Sequence, residues 1–195
     1  WLAPSINIFR NPLGGRNNSY ASEDPYLSGI FASEQIKSIQ KCGVGAVLKH
    51  YCANSTEYER LKSNSRVSER ALREIYMKGF EIAVKKADPW AIMSSYNSVN
   101  DTKVCENRTL ITEIPRKEWN WDGVFVTDWW NDSNHIKELK AGHDLKMATG
   151  DISGVAKALG DGILTREEVY VCAGRVLKML LKLETVREFI AEEGA

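Results

Sequence analysis

Residues 124–130 read VFVTDWW, and this stretch decides the fold. Four strand-forming residues, mostly apolar, lead directly into the carboxylate Asp128, which Trp129 and Trp130 follow. An acid at the end of a buried strand is costly unless it is paired, hydrogen-bonded or used in chemistry. The stretch therefore allows three interpretations of Asp128: a helix N-cap, a buried ion pair or a catalytic carboxylate.

The chain has 195 residues, with 26 basic and 26 acidic side chains. This length allows one sizeable core, and the balanced charge removes the electrostatic case for binding nucleic acid or an anionic membrane. No apolar run reaches the ~20 residues that span a bilayer. We expect neither nucleic acid nor a membrane as partner. Since the chain starts with Trp1 and shows no signal-like segment, we expect a piece of a longer polypeptide.

The four cysteines are widely scattered, at positions 42, 52, 105 and 172. Their spacing matches neither a small disulfide-stapled domain nor a zinc site. We expect free thiols in a reducing compartment, and hence a cytoplasmic protein of bacterial origin. A periplasmic or secreted location is the alternative.

Short apolar runs alternate with longer amphipathic stretches along the whole chain. The pattern predicts strands at 1–8, 46–50, 91–95, 124–128 and 144–147, and helices at about 31–41, 68–86, 109–120, 133–140 and 166–183. Thr165 and Glu168 form a capping box at the start of the last helix. Such alternation is typical of βα units on a parallel sheet.

Polar residues stand at the carboxyl end of nearly every predicted strand: Asn7 and Arg10, Lys49 and His50, residues 95–97, and Asp128. This favours an α/β fold of the (β/α)8 TIM-barrel type, whose active site gathers at that rim. A doubly wound sheet is less favoured, because no Gly-rich phosphate loop follows the first strand. A complete barrel typically needs ~250 residues. We therefore expect about five to six βα units and a barrel that is incomplete in this chain.

Three basic residues could carry chemistry at this rim. Lys49 and His50 could form a salt bridge and a packed imidazole, or they could donate hydrogen bonds to substrate hydroxyls. Lys49 could also form a Schiff base. Arg16 lies in a loop with Gly14 and Gly15, where it could bind a ligand or hold the loop through carboxylate pairs.

Two aromatic residues belong to the same rim. Tyr96, in the run MSSYN at 93–97, reads on composition alone as a core aromatic with a solvated hydroxyl. Trp129 beside Asp128 supplies an apolar wall, and sugar rings stack their C–H faces on such walls. The tryptophan thus favours a carbohydrate site.

Taken together and in order, six motifs resemble glycoside hydrolase family 3, most closely its β-glucosidase branch. They are residues 2–25, with LAPSINI, RNPLGGRN and SEDP; residues 49–60, with KHY, Asn54, Glu57 and Arg60; residues 68–76, SERALREIY; residues 93–100, MSSYNSVN; residues 122–129, DGVFVTDW; and residues 141–147, AGHDLKM. The match covers nearly the whole chain.

The resemblance implies a retaining exo-acting β-glycosidase that hydrolyses terminal, non-reducing β-D-glucosyl residues of β-glucosides or oligosaccharides. Asp128 would be the nucleophile that forms a covalent glycosyl-enzyme. The residues that would bind or line the sugar are Arg16, Lys49, His50 and Tyr96 at its hydroxyls, with Trp129 and Met93 as walls. No metal and no cofactor are implied.

The resemblance also implies that residues 1–195 form one domain, most of the family's catalytic barrel. The family's opening strands and its α/β-sandwich domain, which supplies the acid/base Glu, have no recognisable counterpart in this sequence. We therefore expect the acid/base to come from another domain or chain, and these residues alone to be inactive.

Two departures from the family pattern lie near the site. Asn18 and Ser19 stand where the family often has an aromatic residue and Glu, which changes the local support of Arg16. Lys146 and Ala148 stand where Glu and Pro are common. We expect the lysine to change the charge at the rim without touching the proposed roles.

Three alternatives stay open. A β-xylosidase or another exo-β-glycosidase would share the mechanism. A Schiff-base lyase would use Lys49 as its nucleophile. A non-catalytic sugar-binding barrel would keep the subsite without turnover.

Overall fold

The computed structural model describes residues 1–193. The strands in this range are β1 (Val47–Tyr51), β2 (Asn64–Ser65), β3 (Ala91–Ser94), β4 (Ser98–Val99), β5 (Thr102–Lys103) and β6 (Val124–Val126). β1, β3 and β6 form a parallel sheet in that order, with Val47 beside Ala91 and Ala91 beside Val124. The short strands β2, β4 and β5 form a second sheet, which the sequence did not predict.

Two single parallel bridges extend the main sheet on either side. Ser5 pairs with Lys49 beside β1, and Val126 pairs with Leu145 beside β6. Five parallel segments therefore lie side by side in chain order, which is the arrangement of an arc of barrel wall. Within residues 1–193, the strands predicted at 1–8 and 144–147 are present only as these single bridges.

Helices connect the strands on the described part of the chain. The α-helices are α1 (Pro25–Lys41), α2 (Glu69–Ala71), α3 (Lys78–Ala87), α4 (His135–Ala141), α5 (Ile152–Gly160), α6 (Arg166–Leu180) and α7 (Glu184–Glu193). π-Helical stretches occupy Leu72–Tyr76 and Thr109–Glu118, and a 3₁₀ turn occupies Val104–Glu106. Between residues 1 and 193, no helix combines the length and the apolar character needed to cross a membrane.

Side-chain caps set several helix boundaries. α1 begins earlier than predicted, because Asp24 accepts a hydrogen bond from the Tyr26 N–H at 2.8 Å and proline suits the first helical position. The capping box of Thr165 and Glu168 at the start of α6 is confirmed. The helix predicted at 68–86 is not continuous, because its second turn is π-helical.

The central strands are buried on both faces. Ile92 and Phe125 point to a core shared with α1, α3 and both π-helical stretches. Ala91, Met93 and Val124 point to a second apolar cluster on the opposite face. Burial on both faces explains why these strands read as continuous apolar runs rather than alternating ones.

A buried ion network fixes α6 near the amino ends of the strands. One oxygen of Asp144 lies 2.7 Å from the Arg116 guanidinium and accepts the Phe125 N–H at 2.8 Å. The other oxygen lies 3.0 Å from the guanidinium of Arg175 on α6. The side chain of Arg175 also reaches Asp122, two residues before β6. Both carboxylate oxygens of Asp144 are thus hydrogen-bonded within the fold.

We predict that Asp144→Ala lowers the free energy of unfolding by about 3–5 kcal/mol, because it leaves two largely buried guanidinium groups without their shared counter-ion. Urea unfolding of the protein measures the loss. Asp122→Ala is the matched control: its carboxylate is exposed, so we expect a loss of about 1 kcal/mol or less. Equal losses in the two variants would contradict this account of the network.

Candidate active site

Asp128 lies just beyond the carboxyl end of β6 and is nearly buried, with 8% of its surface exposed. Its Oδ1 accepts the N–H of Trp129 at 2.8 Å. Its Oδ2 is buried and has no hydrogen-bond partner within residues 1–193. The nearest basic atom is Nε2 of His50, at 3.6 Å. One carboxylate oxygen is thus held by the backbone and the other is left free.

The N-cap interpretation of Asp128 is wrong. The next helix, α4, begins at His135 and is capped by Asn134, whose side chain accepts the N–H of Lys137 at 3.1 Å. An ion pair with Lys or Arg is also absent within 4.0 Å of Asp128 across the described range. Of the three interpretations that the sequence allowed, a chemically active carboxylate fits these contacts best.

His50 is held at the end of β1 by two backbone contacts with Asn7. The His50 N–H donates to the Asn7 side chain at 2.9 Å, and the Asn7 amide donates to the His50 carbonyl at 2.9 Å. Burial, together with the charges of Arg16 and Lys49, lowers the pKa of His50 to about 3. The imidazole is therefore neutral at physiological pH.

One ring nitrogen of His50, Nε2, faces the charged residues of the site. Nη1 of Arg16 lies 3.4 Å from Nε2 of His50. The same Nε2 lies 3.6 Å from Oδ2 of Asp128, so it faces both a guanidinium donor and a carboxylate acceptor. Nδ1 is buried and has no partner within residues 1–193. His50 thus presents Nε2 to the free oxygen of Asp128 and keeps Nδ1 buried on the other side of the ring.

A salt bridge to Glu57 positions Arg16. Glu57 lies in the motif at residues 49–60, but no role was predicted for it from the sequence. Nε of Arg16 lies 2.7 Å from Oε1 of Glu57, and Oε2 of Glu57 lies 2.8 Å from Nη1 of Arg60. Gly15 has φ +85°, and a Cβ there would approach Glu57 to 3.0 Å. The close approach of the two loops therefore requires a glycine before Arg16.

Tyr96 is buried, and its hydroxyl donates to the Trp129 carbonyl at 2.5 Å. The guanidinium of Arg60 lies over its ring, 4.5 Å from the centroid. Burial and the nearby charge of Asp128 raise the pKa of Tyr96 to about 12, so the hydroxyl stays protonated. Tyr96 is thus a buried aromatic, as its composition indicates, and its hydroxyl bonds the backbone next to Asp128.

Lys49 is half-buried, and burial together with Arg16 lowers its pKa, against the opposing effect of Asp128. Met93 is fully buried in the apolar cluster of β3 and β6, against which Trp129 packs. The structure thus gathers six of the predicted residues around Asp128, with Met93 beneath Trp129 rather than at the surface. No group of three His, Cys, Asp or Glu side chains suited to a metal ion occurs within residues 1–193.

Comparison with known proteins gives the same picture as the geometry. A model of the glycosyl hydrolase family 3 N-terminal domain matches residues 1–179. The chain is 44% identical over 191 residues to the thermostable beta-glucosidase B of Acetivibrio thermocellus, which covers 96% of this chain and 25% of that protein. It is also 46% identical over 165 residues to an exo-alpha-(1->6)-L-arabinopyranosidase of Bifidobacterium longum, covering 84% of this chain and 22% of that protein.

The fold matches solved structures at the same level. Beta-glucosidase 3B from Thermotoga neapolitana, in complex with glucose, superposes with a TM-score of 0.93 at 43% identity, over 96% of this chain and 28% of that one. These matches confirm the predicted barrel class and the family resemblance. The chain spans about a quarter or less of the curated relatives described above.

We predict that two of the three histidines, His50 and His143, stay neutral down to about pH 4, because burial lowers the pKa of each to about 3. Histidine in the unfolded chain titrates near pH ~6.5, so between these values the unfolded state binds more protons. The free energy of unfolding should therefore fall as the pH is lowered from about 6.5 towards 3. NMR titration of the imidazole nitrogens measures each group.

His135 provides the internal control for this titration. It is less buried, its N-terminal position on α4 leaves it partly solvated, and burial lowers its pKa less completely. We expect it to titrate at a higher pH than the other two histidines. Protonation of His50 at or above pH 6 would contradict the neutral imidazole assigned to the site.

Proposed function

Because the chain belongs to glycosyl hydrolase family 3, we propose that it carries the nucleophile and the sugar subsite of a retaining exo-acting β-glycosidase. The substrate is a terminal, non-reducing β-D-glucosyl residue. The proposal depends on one observation above all: Oδ2 of Asp128 is buried and free of hydrogen bonds in a site otherwise lined by donors. A buried carboxylate oxygen without a partner is costly to maintain unless a ligand or a reaction uses it.

In this mechanism Oδ2 of Asp128 attacks the anomeric carbon, and the bond from that carbon to the aglycone oxygen breaks. The departing oxygen takes a proton from a carboxylic acid. Water then attacks the glycosyl-enzyme, the same carboxylate removes a proton from the water, and Asp128 is released as the leaving group. The net reaction is hydrolysis with retained anomeric configuration.

The surrounding donors suit the hydroxyl oxygens of a sugar. The imidazole edge of His50 that carries Nε2 lies beside Asp128, Lys49 adds a half-buried ammonium, and Arg16 adds a guanidinium held by Glu57. The Tyr96 hydroxyl bonds the backbone carbonyl of Trp129, which fixes the phenol ring to the main chain that bears the indole. We assign the sugar hydroxyls to Arg16, Lys49, His50 and Tyr96, and the apolar ring face to Trp129 with Met93 beneath it.

We propose that the acid/base carboxylate comes from outside residues 1–195, which would form one domain, most of a catalytic barrel completed by further strands and an α/β-sandwich domain. Glu57, the acidic residue most closely built into the site, is already shared by Arg16 and Arg60. Each of its two oxygens is bound by a guanidinium group, so neither is free to face a leaving group. Retaining enzymes place the second carboxyl group ~5 Å from the nucleophile.

A second candidate substrate is a terminal α-L-arabinopyranoside. The Bifidobacterium longum relative, an exo-alpha-(1->6)-L-arabinopyranosidase, is 46% identical over 165 residues. A β-xyloside is the third candidate, since xylopyranose differs from glucopyranose only in lacking the exocyclic CH₂OH. Aryl glycosides of the three sugars, compared by kcat/KM, rank these substrates directly.

The cytoplasmic location predicted from the cysteines stays a prediction; all four are free thiols, three of them buried.

We predict that a 2-deoxy-2-fluoroglucoside with a good leaving group labels Asp128 covalently, and that Asp128→Asn lowers kcat by about 10³-fold or more. Peptide mass spectrometry locates the adduct. Asp122→Asn, at the opposite ends of the strands, is the control and should retain activity. A sugar-binding barrel would instead keep its affinity in Asp128→Asn and show no turnover in the wild type.

The lyase alternative has its own signature. Borohydride reduction in the presence of a carbonyl substrate would trap a secondary amine on Lys49, whose lowered pKa suits a nucleophilic amine. We expect no such adduct. Its appearance, without a fluoroglucosyl adduct on Asp128, would replace the glycosidase proposal with the lyase.

We predict that residues 1–195 expressed alone do not turn over aryl β-glucosides, whereas the full-length polypeptide that contains them does. The missing component is the proton donor, so the difference should be largest for substrates with poor leaving groups. Dinitrophenyl glucoside, whose aglycone departs without protonation, tests this reason. Robust turnover of poor leaving groups by residues 1–195 would place the acid/base within this chain.

A further inference from the structure

Lys103 lies at the end of β5, on the hairpin that follows Tyr96. β4 and β5 pair antiparallel, with Ser98 beside Lys103, and the turn between them places Asn100 and Asp101 at positive φ. The Lys103 side chain is only 20% exposed. A lysine buried to this extent on a short strand has a specific set of partners to satisfy.

The ammonium group of Lys103 has three acceptors, one from each of three loops. It donates to the carbonyl of Leu61 at 2.6 Å, to Oδ1 of Asp132 at 2.6 Å and to the carbonyl of Tyr96 at 3.3 Å. An ammonium has three N–H donors, so these contacts use all of them. Two of the three acceptors are backbone carbonyls, so the lysine fixes the course of the main chain.

Each of these loops carries a residue of the proposed site. Leu61 follows Arg60, whose guanidinium covers the ring of Tyr96 and pairs with Glu57. Tyr96 bonds Lys103 through its own carbonyl. Asp132 lies four residues after Asp128 in the same loop. The hydroxyl of Tyr96 then bonds the Trp129 carbonyl, which closes the ring of contacts.

The hairpin that presents Lys103 is itself held rigidly. The Asn100 side chain accepts the Val67 N–H at 3.0 Å and donates to the Val67 carbonyl at 2.9 Å. Asn64 donates to Asp101 at 2.7 Å. β2 and β4 add parallel backbone pairing. The ammonium therefore has a fixed position in space rather than following the loops that it joins.

We propose, resting on the glycosidase function above, that Lys103 is a positioning residue that sets Tyr96 and the loop after Asp128 against the Arg60 loop. It does not touch the reacting atoms. It acts by fixing the main chain on both sides of the Tyr96–Trp129 hydrogen bond. This in turn fixes where Asp128 lies relative to the sugar. A misplacement of about 1 Å at a reacting centre can cost ~10²-fold in rate.

The test uses Lys103→Met, which keeps the length of the side chain and removes its three donors, in the full-length polypeptide. We expect the rate constant of covalent labelling by a 2-fluoroglucoside, and kcat for the aryl glucoside, to fall about 10- to 100-fold. KM should change less than fivefold. Lys103→Arg, which keeps the positive charge and N–H donors, should recover part of the loss.

The matched control is Lys140→Met. Lys140 also donates to a backbone carbonyl, that of Ile163 at 2.8 Å, but it lies at the carboxyl end of α4, away from the site. We expect its labelling rate to stay within twofold of the wild type. An equal fall in both lysine variants would show general destabilisation and overturn the proposal.

The partner of the lysine on the Asp128 loop provides a double-mutant cycle. Asp132→Asn weakens the same contact, so its effect on the labelling rate should not multiply with that of Lys103→Met. The double variant should lose about as much as Lys103→Met alone. Independent, multiplying losses would overturn the shared role of the two residues.

Hydrogen exchange separates this inference from the function on which it rests. In Lys103→Met, amide exchange should rise in residues 57–62, 95–99 and 129–133 and stay unchanged in α1 and α3. Unchanged exchange in the three loops overturns the role of Lys103, whatever the activity. If exchange rises as expected while the wild type neither hydrolyses nor is labelled by any glycoside, the glycosidase proposal fails and the positioning contact stands.

Discussion

The parallel hydrogen-bonded ladder of β1, β3 and β6 is the constraint on which the rest of the molecule depends. The carboxyl ends of parallel strands lie at the same edge of a sheet, so residues far apart in sequence come together there. His50 lies near the end of β1, and Tyr96 and Asp128 follow β3 and β6, so the ladder brings all three to one edge. The ladder in turn requires cover on both faces, which the helical core and the inner apolar cluster supply.

Two aspartates, both nearly buried as whole residues, show how the fold separates stability from chemistry. Asp144 and Asp128 are each 8% exposed. Asp144 has two guanidinium partners and a backbone N–H, and so costs the fold little beyond desolvation. Asp128 has a single backbone N–H and one oxygen without a partner. The count of satisfied oxygens distinguishes them: both oxygens of Asp144 are bonded, and only one of Asp128 is.

Much of this could be predicted from the sequence, because strand and helix periodicity and short motifs are local signals. The βα order, the capping box at Thr165 and the gathering of Lys49, His50 and Asp128 at one edge all follow from such signals. What could not be predicted depends on contacts between distant segments. The β2–β4–β5 sheet and the stacking of Arg60 on Tyr96 belong to this class. The hydroxyl partner of Tyr96 belongs to this class as well, since it is a backbone carbonyl on the loop after another strand.

The departure at Lys146 shows how such contacts change the meaning of a substitution. As an isolated residue it would add positive charge to the rim. In the fold its ammonium lies 2.7 Å from buried Glu138 and donates to the Ser133 carbonyl at 3.0 Å, with a side chain only 12% exposed. The charge is thus neutralised inside the protein, and the lysine contacts the loop after Asp128 at Ser133. Two ammonium groups on separate elements therefore restrain one short loop, Lys103 through Asp132 and Lys146 through the next residue. A loop held by fixed charges at adjacent positions has little freedom to move Asp128, which is the condition that a nucleophile attacking a single carbon must meet.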